Sequence, residues 1–286
     1  MSPSRSQNCP PGSAATAKRG RRRKRRAPVA NRTLTFSVFR FNPYDPDFGP
    51  RMQEYIVEET PRMTLFTALT LIREEMDPSL QFDFVCRSAV CGSCAMLVNG
   101  HPRLACRTRT DELPAKIVLH PLPFFRLIGD LSVDTGSWFA EMAHRVESWV
   151  HTTETFDPDA EEARMSNDQA LSVYELERCI ECGCCVAACA TAQMRDDFLG
   201  ATGLLRIARF WIDPRDQRTD ADFYDVVGTD AGVFGCVGLL ACHDYCPKNL
   251  PLMEQLAYLR RRVMFASLRS AVGKKERQPE EQEATR

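Results

Sequence analysis

The sequence has no apolar run long enough to cross a bilayer. Its longest hydrophobic stretch, Ala231 to His243, is thirteen residues and contains three glycines, where a spanning helix needs about 20. No apolar leader segment precedes the first structured region, so a secretory signal is not expected. No G-x-G-x-x-G opens a helix after a strand, no phosphate-binding loop occurs, and no Ser/His/Asp arrangement stands out. Histidine is scarce, with five in 286 residues, and His101, His120, His144 and His151 have no companion spacing. These absences argue against an organic cofactor or a substrate-transforming residue on this chain. They predict a polypeptide soluble by itself, whose membrane association would come through a partner.

Cysteine, in contrast, is abundant, with thirteen residues. Disulfide scaffolds are short and secreted, whereas clustered C-x2-C spacing in a leaderless chain reads as metal chemistry in a reducing compartment. Five cysteines fall between Cys179 and Cys189. Without Cys184, this run is C-x2-C-x2-C-x3-C, the spacing of thiolates that hold cubane iron–sulfur clusters. Three thiolates on one short turn reach one cube, and the fourth serves a second cube. A second motif must therefore exist, and Cys236, Cys242 and Cys246-Pro247 supply it.

The crossover assigns Cys179, Cys182, Cys185 and Cys246 to a [4Fe–4S] cluster. The other cluster receives Cys189, Cys236 and Cys242, because the position for its fourth ligand is Leu239. Three thiolates with an apolar side chain facing the vacant corner favour a [3Fe–4S] cluster, although a fourth iron held by solvent stays open. Cys184 is read as structural filler. His243, next to a ligand, either tunes the cluster or is a plain surface histidine.

Upstream, Cys86, Cys91, Cys94 and Cys106 have the C-x4-C-x2-C…C spacing of a plant-type [2Fe–2S] cluster. Ser88, Ala89, Gly92 and Ser93 are small enough for backbone N–H groups to approach sulfur. Ala95 to Val98 and Arg103 to Ala105 flank an Asn99-Gly100 turn, a hairpin that returns Cys106 to the loop. A zinc-binding interaction module is the alternative from a different class, but zinc knuckles prefer paired C-x2-C.

The pattern predicts an α+β chain. Residues 1–31 are a disordered tail carrying the isolated thiol Cys9 and the run Lys18 to Arg26, with eight positive charges. That run is read as a solvated tail rather than a lipid anchor, a nucleic-acid arm or a twin-arginine signal. No nucleic-acid partner is expected. Residues 32–135 form an N-terminal β-grasp ferredoxin domain. Its alternating strands are Thr33 to Phe41 and Arg51 to Glu59. An amphipathic helix follows, with Leu65, Leu69, Ile72 and Met76 on one face, and Lys116 to His120 closes the sheet. Pro121 to Thr135 is a linker. Residues 136–266 form an all-helical bacterial-ferredoxin-type domain. Its helices are Gly136 to Val150, with Trp138, Met142, Val146 and Trp149 aligned, then Ala201 to Trp211, Thr219 to Val227 and Pro251 to Met264. Asp157 to Asp168 is an acidic loop, and 267–286 is a second disordered tail.

This order of parts closely resembles the iron–sulfur subunits of succinate dehydrogenase and fumarate reductase, over roughly residues 32–266. The resemblance rests on the eleven cysteines, Leu239 in the vacant position and the block Cys246-Pro247-Lys248-Asn249-Leu250. Ile212 to Asp216, Asp130 to Asp134 and Cys179 to Cys185 look most like fumarate reductases of anaerobic proteobacteria with a dihaem cytochrome b. The basic extension and Ala190, where many relatives have Pro, depart from the pattern without touching a ligand.

The resemblance implies an electron-transfer subunit of a membrane-bound quinol:fumarate reductase. A partner flavoprotein with FAD would interconvert fumarate and succinate. A membrane cytochrome b subunit with haem b would oxidise menaquinol. Electrons would pass along FAD, [2Fe–2S], [4Fe–4S], [3Fe–4S] and haem, on the cytoplasmic face of the inner membrane, where this peripheral subunit is held. The oxidative direction, succinate to quinone, uses the same path and stays open. An electron-transfer subunit of another dehydrogenase is a weaker reading, because those show two intact cubane motifs and no plant-type loop.

Overall fold

The computed structural model describes residues 32–276 except 46, 154, 156 and 160–163, with side chains to 268. The tail with Cys9 and the basic run lies outside the described residues. The first half is built on two antiparallel strands, β1 (Thr33–Arg40) and β2 (Arg51–Glu58), in register from Thr33 opposite Glu58 to Arg40 opposite Arg51. Alternation puts Leu34, Phe36 and Val38 in the core.

Helix α1 (Leu65–Leu71) starts at Thr64, whose hydroxyl accepts from the Thr67 N–H, and runs into a π turn, Ile72–Met76. Leu65, Leu69 and Ile72 are buried as the periodicity requires, but Met76 is exposed. The wider turn inserts a residue and rotates Met76 off the apolar face.

Strands β3 (Ala95–Val98) and β4 (His101–Leu104) form the expected hairpin, with Asn99 and Gly100 both at positive φ (49° and 79°). Strand β5 (Lys116–His120) does not close the sheet. It lies in the middle of the order β2-β1-β5-β3-β4, parallel to β1 and antiparallel to β3. A parallel partner for β1 needs a long crossover, and α1 with the cysteine loop and hairpin provides it.

The expected linker is also structured. Strands β6 (Arg126–Gly129) and β7 (Ser132–Asp134) pair antiparallel. At their turn, Asp130 accepts from the backbone N–H groups of Phe41 and Gln81, both at 2.8 Å, and pairs with buried Arg40 at 3.0 Å. Three contacts on one buried carboxylate pin this ribbon to the sheet domain.

Asp134 then caps α2 (Thr135–Arg145) through the Ser137 N–H. Met142 and Val146 are buried, whereas Trp149 is 52% exposed, because the helix ends at Arg145 and the chain turns at Glu147 (φ 47°). Helix α3 (Asn167–Glu177) was not anticipated. Its signal is the capping box of Ser166 and Gln169. Short helices α4 (Cys184–Ala187) and α5 (Ala190–Met194) follow, then α6 (Gly200–Ile212), α7 (Asp220–Val227), the single turn α8 (Ala241–Asp244) and α9 (Leu252–Glu276). Helix α6 is buried along most of its length and packs against α3 and α9. Leu252, Leu256, Leu259 and Val263 form the buried face of α9, as its spacing predicts. The helix continues past the expected end at 266 to Glu276, and 277–286 lie outside the described residues.

One hydrophobic core runs through both halves. At the junction Phe125, Trp138 and Phe139 meet edge-to-face, and Gly183 (φ 77°) lies so close to Phe125 that a Cβ there would approach its ring to 2.7 Å.

Candidate iron–sulfur centres

The first group of cysteines sits on the loop between α1 and β3. Arg87, Ala89 and Gly92 take left-handed conformations (φ 56°, 59° and 81°), which coils the chain so that its N–H groups point inward at sulfur. Cys86 Sγ accepts from the N–H groups of Ser88, Val90 and Cys91 at 3.2–3.4 Å. Cys91 Sγ accepts from the Ser93 hydroxyl at 3.3 Å. The β3–β4 hairpin brings Cys106 alongside, where its sulfur accepts from the Ala89 N–H at 3.3 Å and its N–H reaches Cys94 Sγ at 3.5 Å. The N–H groups of Ser88, Cys91 and Val90 lower the Cys86 thiol to about 6, whereas burial raises Cys94 to about 12. Iron binding requires thiolates, so the N–H cage favours the ligating form at the exposed end of the loop.

Ser88 and Ala89 do supply N–H groups to sulfur. Gly92 has a different role: a Cβ there would lie 2.8 Å from the Ile180 carbonyl oxygen and 2.9 Å from Cys182 Cα. It is the point where the first loop meets the second.

Cys179, Cys182, Cys185 and Cys246 together line a partly open enclosure, with Phe139, Thr202, Leu250 and Leu252 among its other walls. Gly183 turns the chain into α4, and Pro247 follows Cys246 from the far end of the domain. Burial, then the nearby Cys182, Cys179 and Cys246, push the Cys185 thiol well up. The repulsion that Cys185 meets from its thiolate neighbours is one that a cationic iron core would remove. Cys184 does not line the enclosure. It is fully buried.

Cys189, Cys236 and Cys242 form the third group. Burial and then the charges of Cys189 and Cys236 raise Cys242 to about 11, against the lowering effect of the His243 N–H. Arg260 of α9 donates to the Cys236 carbonyl at 2.7 Å, and Thr191 to the Gly235 carbonyl at 3.1 Å, which fixes this loop beside α5. Leu239 does not face the three cysteines from a packed position. It is 66% exposed and sits between Gly238 (φ 75°) and Leu240 (φ 64°). Phe234, Val237 and Leu240 are exposed beside Leu239. His243 Nδ1 is buried without a hydrogen-bond partner.

Among the described residues no three His, Cys, Asp or Glu side chains converge tightly enough for one metal ion. A cluster spreads its thiolates over several iron atoms, so groups too open for a single ion remain compatible with it. The donor sets, all cysteine and all partly or fully buried, match the chemistry of iron–sulfur ligation. Outside the junction at Gly92, Tyr245 stacks on His101 and shares a 2.7 Å hydrogen bond with its Nδ1, and Arg107 donates to the Pro247 carbonyl at 3.3 Å. The sheet domain is thus tied directly to the segment that carries Cys242 and Cys246.

Two family descriptions match this chain: a 2Fe-2S iron-sulfur cluster binding domain over residues 35–140 and a 4Fe-4S dicluster domain over 175–250. The fumarate reductase iron-sulfur subunit of Wolinella succinogenes is 56% identical, covering 82% of this chain and 98% of that protein. The mitochondrial succinate dehydrogenase [ubiquinone] iron-sulfur subunit of Candida glabrata is 31% identical over 82% of this chain and 92% of its own length. The succinate dehydrogenase iron-sulfur subunit of Coxiella burnetii is 32% identical over 81% and 97%. Among solved structures, a chain of the Mycobacterium smegmatis Sdh1 complex in the apo form has the same fold. Its TM-score is 0.72 at 24% identity, covering 84% of this chain and 98% of that one.

Proposed function

The chain belongs to the family of iron–sulfur subunits of fumarate reductase and succinate dehydrogenase, and we propose that it conducts electrons between a menaquinol-oxidising cytochrome b subunit and an FAD subunit that reduces fumarate. Its function is electron transfer within a quinone-linked oxidoreductase complex. The proposed ligands are Cys86, Cys91, Cys94 and Cys106 for [2Fe–2S], Cys179, Cys182, Cys185 and Cys246 for [4Fe–4S], and Cys189, Cys236 and Cys242 for [3Fe–4S]. Bound clusters supply one-electron sites that bridge a two-electron flavin and stepwise quinone chemistry.

The observation that carries this reading is the division of eleven cysteines into three spatial groups of four, four and three, on an insulating scaffold that holds the groups against one another. The residues around each group set its properties. N–H donors stabilise added negative charge at the first, the second is lined by apolar side chains, and the third lies next to an apolar surface. That surface, Phe234, Val237, Leu239 and Leu240, is proposed to meet the membrane subunit, and the β-grasp ferredoxin domain to meet the flavoprotein. Among the described residues no helix is long and apolar enough to cross a membrane. The proposed attachment is peripheral, at the cytoplasmic face of the inner membrane through the cytochrome b subunit and its haem. The fumarate-reducing direction is preferred because the 56% relative is a fumarate reductase subunit, against 31% and 32% for the succinate dehydrogenases.

The test is quinol-dependent fumarate reduction by the assembled complex. Omitting this subunit should abolish electron passage from quinol while the flavoprotein still reduces fumarate with an artificial donor. Undiminished quinol activity without this subunit would refute the proposal.

A further inference from the structure

Helix α6 presents two side chains one turn apart, Thr202 and Arg206, toward Cys179. Thr202 is 1% exposed and lines the enclosure of the second cysteine group. Its hydroxyl oxygen lies 3.6 Å from Cys179 Sγ, within reach of a hydrogen bond to sulfur. Between an alcohol and a free thiol either atom can donate. Once sulfur binds iron it has no proton and can only accept, so the hydroxyl must be the donor. Among the described residues it is the one side-chain hydroxyl within hydrogen-bond distance of a cysteine of this group.

Arg206 adds a charge. It pairs with Glu177 and Glu181, yet its Nε is buried without a hydrogen-bond partner. It stands one turn from Thr202 on the same helix, and its partner Glu181 lies two residues along from Cys179.

We propose that Thr202, supported by Arg206, is a positioning residue that sets the reduction potential of the second cluster by donating a hydrogen bond to Cys179 Sγ. This rests on the proposed [4Fe–4S] assignment. Reduction adds one electron, delivered by the neighbouring centre, to the cluster and its thiolates. No bond breaks and no proton moves, and the hydroxyl keeps its hydrogen. A donor to sulfur is stronger when the sulfur carries more negative charge, so it favours the reduced state. Burial of the donor, Thr202, strengthens the effect.

The experiment is a mediated redox titration of the holo complex followed by low-temperature EPR of the reduced [4Fe–4S] signal, in wild type, Thr202→Ser and Thr202→Val. The valine variant is expected to lower the reduced-to-oxidised ratio at a fixed potential about tenfold, a shift of about 59 mV to more negative potential for one electron. The serine variant should stay near wild type, with the [2Fe–2S] potential unchanged in both. Thr202→Ala, which cannot clash, gives the same reading if valine prevents cluster assembly. Arg206→Gln should move the potential in the same direction. A present cluster signal at wild-type potential in the valine or alanine variant overturns the inference and leaves the ligand assignment standing. Absence of any [4Fe–4S] signal in wild type overturns the assignment itself.

Discussion

Gly92 rests against Cys182, so that the backbone of the first cysteine loop touches a cysteine of the second with no side chain between them. A Cβ at Gly92 would lie 2.9 Å from both Cα and Cβ of Cys182, closer than real Cβ atoms come. Gly92 also has φ 81°, so alanine is penalised twice there, by the left-handed backbone and by collision. Gly100 has nearly the same backbone, φ 79°, with nothing within 4 Å. Gly100→Ala therefore isolates the conformational cost, about 1–2 kcal/mol. Gly92→Ala should lower the thermal midpoint clearly further than Gly100→Ala. Equal shifts would mean that the two loops do not bear on each other as described.

The third cysteine group gives a nuclearity test. Leu239 is exposed and unconstrained by packing, so Leu239→Cys introduces a thiolate without opening a cavity. Anaerobic reconstitution of that variant should replace the three-iron EPR signal of the oxidised protein with a four-iron signal on reduction. A persistent three-iron signal would show that the residue at 239 does not determine nuclearity.

Cys189 tests the crossover. It belongs in sequence with Cys179 to Cys185 but in space with Cys236 and Cys242. Cys189→Ser should remove or convert the three-iron signal and spare most of the [2Fe–2S] signal. A three-iron signal of undiminished amplitude would contradict the grouping.

The sheet domain carries a pH-sensitive buried network. Asp77 accepts from Tyr55 at 2.7 Å, from Ser79 and from Arg40. Burial opposes its ionisation, but the bonds from Ser79, Tyr55 and Arg40 outweigh it and hold the carboxyl well below the usual range. Burial and Asp77 raise Tyr55 to about 12. The depressed Asp77 contributes stability above its unfolded pKa near ~3.9, which is lost as pH falls through the lower folded value. The raised Tyr55 contributes stability below its unfolded value near ~10, lost as pH rises from about 10 to 12. Tyr55→Phe should flatten the alkaline limb of a stability-versus-pH curve. An unchanged alkaline limb in that variant would show that Tyr55 is not its source.

Asp216 and Arg218 form a second buried pair. Asp216 is fully shielded and binds Arg218 at 2.7 and 3.0 Å, and Arg218 in turn donates to the carbonyls of Val146, Glu147 and Trp149. Asp216→Asn leaves the guanidinium without its counter-charge and should cost roughly 3–5 kcal/mol. Asp216→Asn combined with Arg218→Met should cost less than the single change, measured by chemical denaturation. A double variant less stable than the single one would show that the pairing is not what the single change disrupts.

Much of this was legible in the sequence because iron–sulfur ligation imposes its own spacing. Cys86 to Cys106 and Cys179 to Cys246 divide by counting, before any helix is drawn, and β1, β2 and the Asn99-Gly100 hairpin follow from period-2 alternation and turn chemistry. The ribbon from Arg126 to Asp134 was hidden because its stability comes from one distant carboxylate contact, Asp130 with Arg40, which no local pattern encodes. Helix α3 has a weak apolar stripe, with only Val173 and Leu176 buried, so its capping box was the usable signal. The positive φ at Leu240 beside exposed Leu239 is likewise invisible, because a leucine gives no warning of it. Gly92 reads as room for N–H···S bonds, and only the packed structure reveals the neighbour that excludes a side chain.

Eleven thiolates are proposed to hold three separate iron–sulfur cores on this one polypeptide. Iron and acid-labile sulfide measured on the anaerobically purified complex, corrected for haem iron, test it most directly. About nine iron and about ten sulfide are expected per copy of this chain. Zinc in place of iron, or sulfide near zero, would contradict it.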